Sequence, residues 1–131
     1  MTKREIRTEA APAPVGPYSQ AVIDGDIVYA SGQVPLDPAT GKLVQGGIEA
    51  QAKQAFTNLR AVLEAAGSSM DGILRAGIYL TDLSDFPTVN EIYARQFGEG
   101  PKPARSTLGV ASLPLGALIE IDAIASVTSK A

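Results

Sequence analysis

From Gly47 onward the apolar residues return at helical spacing: Ile48, Ala52, Ala55, Phe56, Leu59, Val62, Leu63 and Ala66 fall on one stripe. Gly67 follows as a left-handed stop, so the pattern predicts a helix from Gly47 to Ala66. On either side the period shortens to that of strands. Ala21 to Ile23 and Ile27 to Ser31 are apolar runs around Asp24-Gly25-Asp26, a strand–turn–strand signal. Ile73 to Leu80 reads as a further strand. Ser84 or Asp85 caps a second helix, with Pro87 in its first turn and Phe86, Val89, Ile92, Tyr93 and Phe97 along one side. Gly98-Glu99-Gly100-Pro101 ends it, and two strands close the chain, Ala104 to Ala111 and Leu118 to Val127, joined through Pro114-Leu115-Gly116. The prolines between Ala10 and Pro17 predict an extended loop, and Asp37-Pro38-Ala39-Thr40-Gly41 a turn.

Strands, helix, strand, helix, strands is the order of an α+β fold, with both helices on one face of a mixed sheet. The other face is unusual. In the last strand Ile119, Ile121, Ala123, Ala125 and Val127 point one way, and Glu120, Asp122, Ile124 and Ser126 the other. Alternation groups Tyr29, Ser31 and Gln33 opposite Val28, Ala30 and Val34, and it groups Arg105, Thr107 and Gly109. These second sides are rich in small residues, hydroxyls and isolated charges, where a solvated face carries more Lys and Glu. We expect this face to be covered by another copy of the chain.

Composition removes most chemistries. A chain of 131 residues predicts one domain, 1–131, able to bury a core without metal or disulfide staples. The 14 acidic and 11 basic residues are mixed, and no basic stripe suited to nucleic acid is visible. Lys3 and Arg4 read as a solvated end. The charged N-terminus is not a signal peptide and no stretch reaches the ~18 apolar residues of a membrane span, which reads as a cytoplasmic protein. With no His and no Cys, any reaction must run on carboxylates, hydroxyls, Arg, Lys, backbone dipoles and water. No phosphate-binding glycine loop is present.

The candidates that remain each have a structural reading beside the functional one. Arg105, after two prolines and among small uncharged neighbours, is either a surface arginine or an anion anchor. Glu120, interrupting Leu-Ile-Glu-Ile, is either a solvated strand residue or a base. Tyr18 after Gly16-Pro17 is core packing or a pocket wall, and Ser31-Gly32-Gln33 is a strand end with a bulge at Gly32 or part of a site. Patterning alone leaves these readings level.

Four stretches carry more: Gly16-Pro17-Tyr18-Ser19-Gln20-Ala21, Ser31-Gly32-Gln33-Val34-Pro35-Leu36-Asp37, Leu83-Ser84-Asp85-Phe86-Pro87-Thr88-Val89-Asn90, and Pro103-Ala104-Arg105-Ser106 on to Ile119-Glu120-Ile121. With them, over about residues 11 to 127, the chain resembles the RidA (YjgF) family of enamine/imine deaminases. The resemblance implies a chorismate-mutase-like α+β fold assembled as a homotrimer, with the half-polar sheet faces around a barrel-like centre, the helices outside and a site at each subunit interface. Small residues such as Gly109 and Ala111 would permit close sheet approach.

It also implies roles. Arg105 would bind the carboxylate of a 2-imino acid or 2-aminoacrylate, for which its planar fork is suited. Glu120 would position or activate the attacking water. Tyr18, Ser31 and Gly32 would shape the pocket, in part from the neighbouring chain, with Asn90 near it. Thr107 stands where many deaminating members have Cys, and its backbone carbonyl would help hold the water; Asp122 replaces a family Glu. The implied reaction takes 2-aminoacrylate, 2-iminobutanoate or 2-iminopropanoate to 2-keto acids and ammonia, with no metal or organic cofactor. Two other readings are open: a trimeric small-carboxylate-binding or chaperone-like module, and an endoribonuclease, against which the acidic balance and absent His argue.

Overall fold

The computed structural model describes residues 3–128, so the outermost residues of the expected 1–131 domain lie outside the described part. Its strands are β1 (Arg4–Ile6), β2 (Ala21–Asp24), β3 (Ile27–Gln33), β4 (Ile73–Leu80), β5 (Ala104–Gly109) and β6 (Ile119–Ser126). They form one sheet in the order β1-β2-β3-β6-β4-β5, in which only β4 and β5 run parallel. The helices are α1 (Gly47–Ala65) and α2 (Phe86–Ala94). Both lie on one face of the sheet, as the apolar periodicity predicts. Among the described residues no helix is long and apolar enough to cross a membrane.

The helical stripe does the burying. Ala52, Ala55, Phe56, Leu59, Val62 and Leu63 of α1 are all nearly inaccessible, packed on Val28, Ile78, Leu80, Ile119, Ile121 and Ala125 of the sheet. α2 adds Val89, Ile92 and Tyr93 beside α1. Gly46, at φ 115°, turns the chain into α1, and Gly67, at φ 80°, turns it out, as expected of that glycine. Asp85 is the residue before α2 and Pro87 lies in its first turn; the helix stops at Ala94, and Phe97 packs beyond it, edge-on to Tyr93 at 4.8 Å.

Three details depart from the sequence reading. Lys3 and Arg4, read as a solvated end, are exposed, but Arg4 opens an edge strand that the sequence reading did not include: Glu5 is exposed, and Ile6 is buried and pairs opposite Ala21. The register of β3 against β6 slips between Ala30 and Gln33, so Gln33 joins the buried face of Val28 and Ala30 instead of that of Tyr29 and Ser31. Strict alternation fails there because a bulge inserts one residue. Finally, the parallel register sets Arg105 beside Ala76 and Thr107 beside Ile78, so Arg105, Thr107 and Gly109 face the helices. Their place on the open face is taken by Ser106 and Leu108, and Gly109 lies under Leu83 of its own chain.

Buried amides fasten the loops to this frame. Asn58 of α1, fully inaccessible, donates to the carbonyls of Val34 and Leu36 at 3.1 and 2.9 Å. Gln51 accepts from the Leu118 amide at 2.8 Å, just ahead of β6. Gln20 donates to the carbonyls of Thr8 and Pro12, each at 2.9 Å, and accepts from the Thr8 amide. Truncating such a group strands its partners without solvent. Asn58→Ala should therefore lower stability by roughly 1–3 kcal/mol. A urea titration reads this as a lower midpoint at unchanged slope, with faster amide exchange around residues 34–36.

Candidate active site

The residues singled out by sequence gather into two places, divided by the sheet. On the open face stands Glu120, placed there because Ile119 and Ile121 on either side turn into the core. The β3 bulge presses Gly32 onto it: a Cβ at residue 32 would lie 2.7 Å from Glu120 Cδ and would push the carboxyl aside. Next to Gly32, the Ser31 hydroxyl donates to the Ser19 carbonyl at 2.6 Å and its amide to the Gln20 carbonyl. This seam holds Tyr18, whose hydroxyl accepts from the Val15 amide. Across from them Leu115 occupies the left-handed region at φ 61°, a conformation that costs a leucine energy and turns the 114–116 segment over the site. Together they enclose a chamber of about 470 Å³ lined by Tyr18, Gly32, Val34, Leu36, Leu115 and Glu120.

The chamber is mostly apolar, and that sets the state of its acid. Burial pushes the Glu120 carboxyl above the ordinary 4.5, and the charge of Asp122, two residues along the same face, pushes it further. Glu120 is thus a stronger proton acceptor than a surface glutamate. No Lys or Arg among the described residues pairs with it.

The second place is on the helix side, at the sheet's edge. Arg105 donates to Asn90 Oδ1 at 2.8 Å, and its guanidinium lies 4.6 Å from the Tyr93 ring centre and 5.4 Å from that of Phe86. The stacking contributes on the order of 1 kcal/mol and fixes the fork while leaving most of its donors unused. A cleft of about 440 Å³ opens here, lined by Asn90, Tyr93, Lys102, Pro103 and Arg105. The buried Tyr93 hydroxyl has no hydrogen-bond partner among the described residues, and burial raises its pKa against the opposing charge of Arg105. Thr107 is half-buried two residues along the same side of β5.

Arg105 and Glu120 therefore do not meet within one chain. β4 lies between their strands, and the registers leave them three residues out of step, which puts their Cα atoms about 14 Å apart on opposite faces. They do not neutralise each other. Tyr18, Ser31 and Gly32 belong with Glu120; Asn90 and Thr107 belong with Arg105. Sequence reading missed Tyr79, whose hydroxyl donates to Asp122 Oδ2 at 3.0 Å beside Glu120, and Tyr93 and Leu115. Only the cross-strand register could have revealed Tyr79.

A stacked guanidinium and a partly buried carboxyl lie on the two faces of a six-stranded α+β sheet with both helices on one side. Residues 8–127 match the family described as Endoribonuclease L-PSP, and the chain belongs to that family, the RidA (YjgF) family. A RutC family protein of Pyrococcus abyssi is 47% identical over 95% of this chain and 98% of its own. The 2-iminobutanoate/2-iminopropanoate deaminase of Dermatophagoides farinae is 47% identical over 93% of this chain and 94% of its own. The crystal structure of RidA from an Antarctic Psychrobacter superposes with a TM-score of 0.90 at 46% identity, covering 94% of this chain and 98% of that one.

The raised pKa of Glu120 predicts a cost to folding. Ionisation is harder in the folded chain than in the unfolded one, so the penalty is present above the folded-state titration and vanishes below about pH 4.5. Glu120→Gln should melt no lower than wild type at neutral pH, and any advantage should fade in acid, as thermal scans at several pH values would show.

Proposed function

We propose that the chain hydrolyses 2-imino and enamine acids, such as 2-aminoacrylate, 2-iminobutanoate and 2-iminopropanoate, to 2-keto acids and ammonia. The observation that carries this reading is the division of the site. Among the described residues Arg105 is held in place without a carboxylate, and Glu120 is made more basic on the other face. A second copy that laid its Arg105 edge over the Glu120 chamber would unite them, and a homotrimer closes such a contact on itself. The deaminase name carried by relatives at about this identity supports the reaction.

In that composite site Arg105 grips the substrate carboxylate through two parallel hydrogen bonds, which leaves the imine carbon over the chamber. An enamine first tautomerises to the imine. The protonated imine is already electrophilic, so the chain need only orient a water and accept its proton. Glu120 takes that proton as the water oxygen bonds to carbon, giving a carbinolamine. The proton then passes to nitrogen, and as the C–N bond breaks and ammonia leaves, Glu120, ionised again, takes the hydroxyl proton so that the carbonyl forms; that proton goes on to ammonia or solvent. In the composite site the Thr107 carbonyl and the Ser31-Gly32 backbone would steady the water. Nothing in the sequence of steps calls for a cofactor.

The test couples a threonine dehydratase to the purified protein and follows loss of the imine and appearance of 2-ketobutyrate. Wild type should accelerate both. Arg105→Ala and Arg105→Lys should remove most of the acceleration, while Glu120→Gln should lower kcat by about a hundredfold or more and leave KM within a few fold. Unchanged kinetics on adding wild type would overturn the proposal; calorimetric binding of 2-ketobutyrate without turnover would point to a carboxylate-binding module. Cleavage of RNA that disappears in Arg105→Ala would point to a ribonuclease.

A further inference from the structure

Beside Glu120 the open face carries an arrangement that substrate anchoring does not explain. Glu120 and Asp122 alternate along β6, so their carboxyl groups share one face. Across the ladder Tyr79 stands opposite Glu120 and Gly77 opposite Asp122. Tyr79 does not stand upright. Its ring leans back along β4 over Gly77, and its hydroxyl reaches Asp122 Oδ2 at 3.0 Å. A Cβ at residue 77 would fall 2.8 Å from the Tyr79 hydroxyl and would strike Asp122. Gly77 has no positive φ to justify it, so room is its function here.

The glycines at 32 and 77 thus bracket the acid pair. One presses on Glu120 from β3; the other lets the phenol pin Asp122 from β4. Two carboxylates at this spacing repel, and a surface protein relieves such a pair with a cation. None does so here among the described residues. On β4 the facing groups are Tyr79 and Arg75, and Arg75 donates to Ser106 of β5 at 3.0 Å; on β3 they are Tyr29 and Ser31, and the loop above contributes Tyr18. The one hydrogen bond that holds Asp122 comes from a neutral donor, which fixes the carboxylate without cancelling its charge.

We propose that Gly77, Tyr79 and Asp122 are positioning residues for Glu120: they hold a second negative charge beside it and so keep it a strong proton acceptor for the attacking water. The inference rests on the function proposed above only for its catalytic consequence; the electrostatic arrangement stands by itself. The upward shift of Glu120, to which Asp122 contributes after burial, agrees with it. So does the raised pKa of Tyr79, which burial and the Asp122 hydrogen bond both favour.

Two readouts on the full chain test it. The first is the pH profile of kcat/KM for imine hydrolysis in wild type, Asp122→Asn and Tyr79→Phe. The substrate titrates identically in all three, so a difference belongs to the protein. The acid limb should move to lower pH in Asp122→Asn and, by less, in Tyr79→Phe, and the plateau rate should fall a few fold as Glu120 becomes a weaker base. The second readout is the titration of the Glu120 side-chain carboxyl by carbon NMR, which needs no activity. It should move downward in Asp122→Asn, and also in Gly77→Ala, where the pinned geometry is displaced. Should wild type fail to hydrolyse imines, the proposed function falls while the NMR titration still decides this inference. Titration of Glu120 at the same pH in wild type, Asp122→Asn and Tyr79→Phe would overturn it, as would an acid limb moving upward. If Asp122→Asn does not fold, Tyr79→Phe alone gives the same decision.

Discussion

A six-stranded β-sheet is an electrostatic partition as well as a scaffold. Side chains on opposite faces cannot converge, and here the partition runs between a guanidinium beside an open cleft and the one carboxyl among the described residues that burial clearly makes more basic. Each half is well built. Asn90, Tyr93 and Phe86 hold Arg105 in one orientation, while Gly32 and the apolar wall partly bury Glu120. Preorganisation of both halves without their contact is economical only if another surface brings them together, which is why the proposed function and the proposed assembly stand or fall together.

Two local devices make the halves possible. The bulge in β3 exchanges one ladder position for a change of face, sending Gln33 inward and presenting Gly32 to Glu120. The second device is the set of buried amides. Gln20 fastens the 8–12 loop and Asn58 the 34–36 segment, both of which reach the chamber wall, and Gln51 holds the chain as it enters β6. Each sits on a regular element and reaches out to a loop, so the core, not the loop's own sequence, sets the shape of the pocket.

This division explains what could be read from residues alone. The helical stripe from Ile48 to Ala66 and the alternation of Ile119 to Val127 are periodic, and periodicity survives folding; the first helix, β4 and the last strand were legible within a residue, whereas the second helix stops at Ala94, short of the Gly98 expected to end it. Arg105, Glu120, Tyr18 and the Ser31-Gly32 turn stood out as candidates because their setting was odd, but pattern left each open between a structural and a functional reading; their expected roles, and Asn90 altogether, came from the family resemblance. What was not legible depends on pairing between strands. Alternation within β5 groups Arg105 with Thr107 correctly but cannot say which face they take; that is decided by the parallel register with β4, which sets Arg105 beside Ala76. The bulge shifts Gln33 for the same reason, and Tyr79 gains meaning only through its neighbour across the ladder, Asp122. The short strand β1 was hidden because two of its three residues are charged and exposed.

The claim that one site draws on two chains is tested most directly by mixing two inactive proteins. Arg105→Ala keeps a sound Glu120 chamber, and Glu120→Gln keeps a sound Arg105 edge. Unfolded together in equal amounts and refolded, they should assemble at random, so about one interface in four would combine an intact Arg105 with an intact Glu120, and imine hydrolysis should return to roughly a quarter of the wild-type rate. Each variant refolded alone should stay inactive. A mixture as inactive as its two components, with mixed oligomers demonstrated by mass spectrometry, would show that no site is shared and would contradict the account.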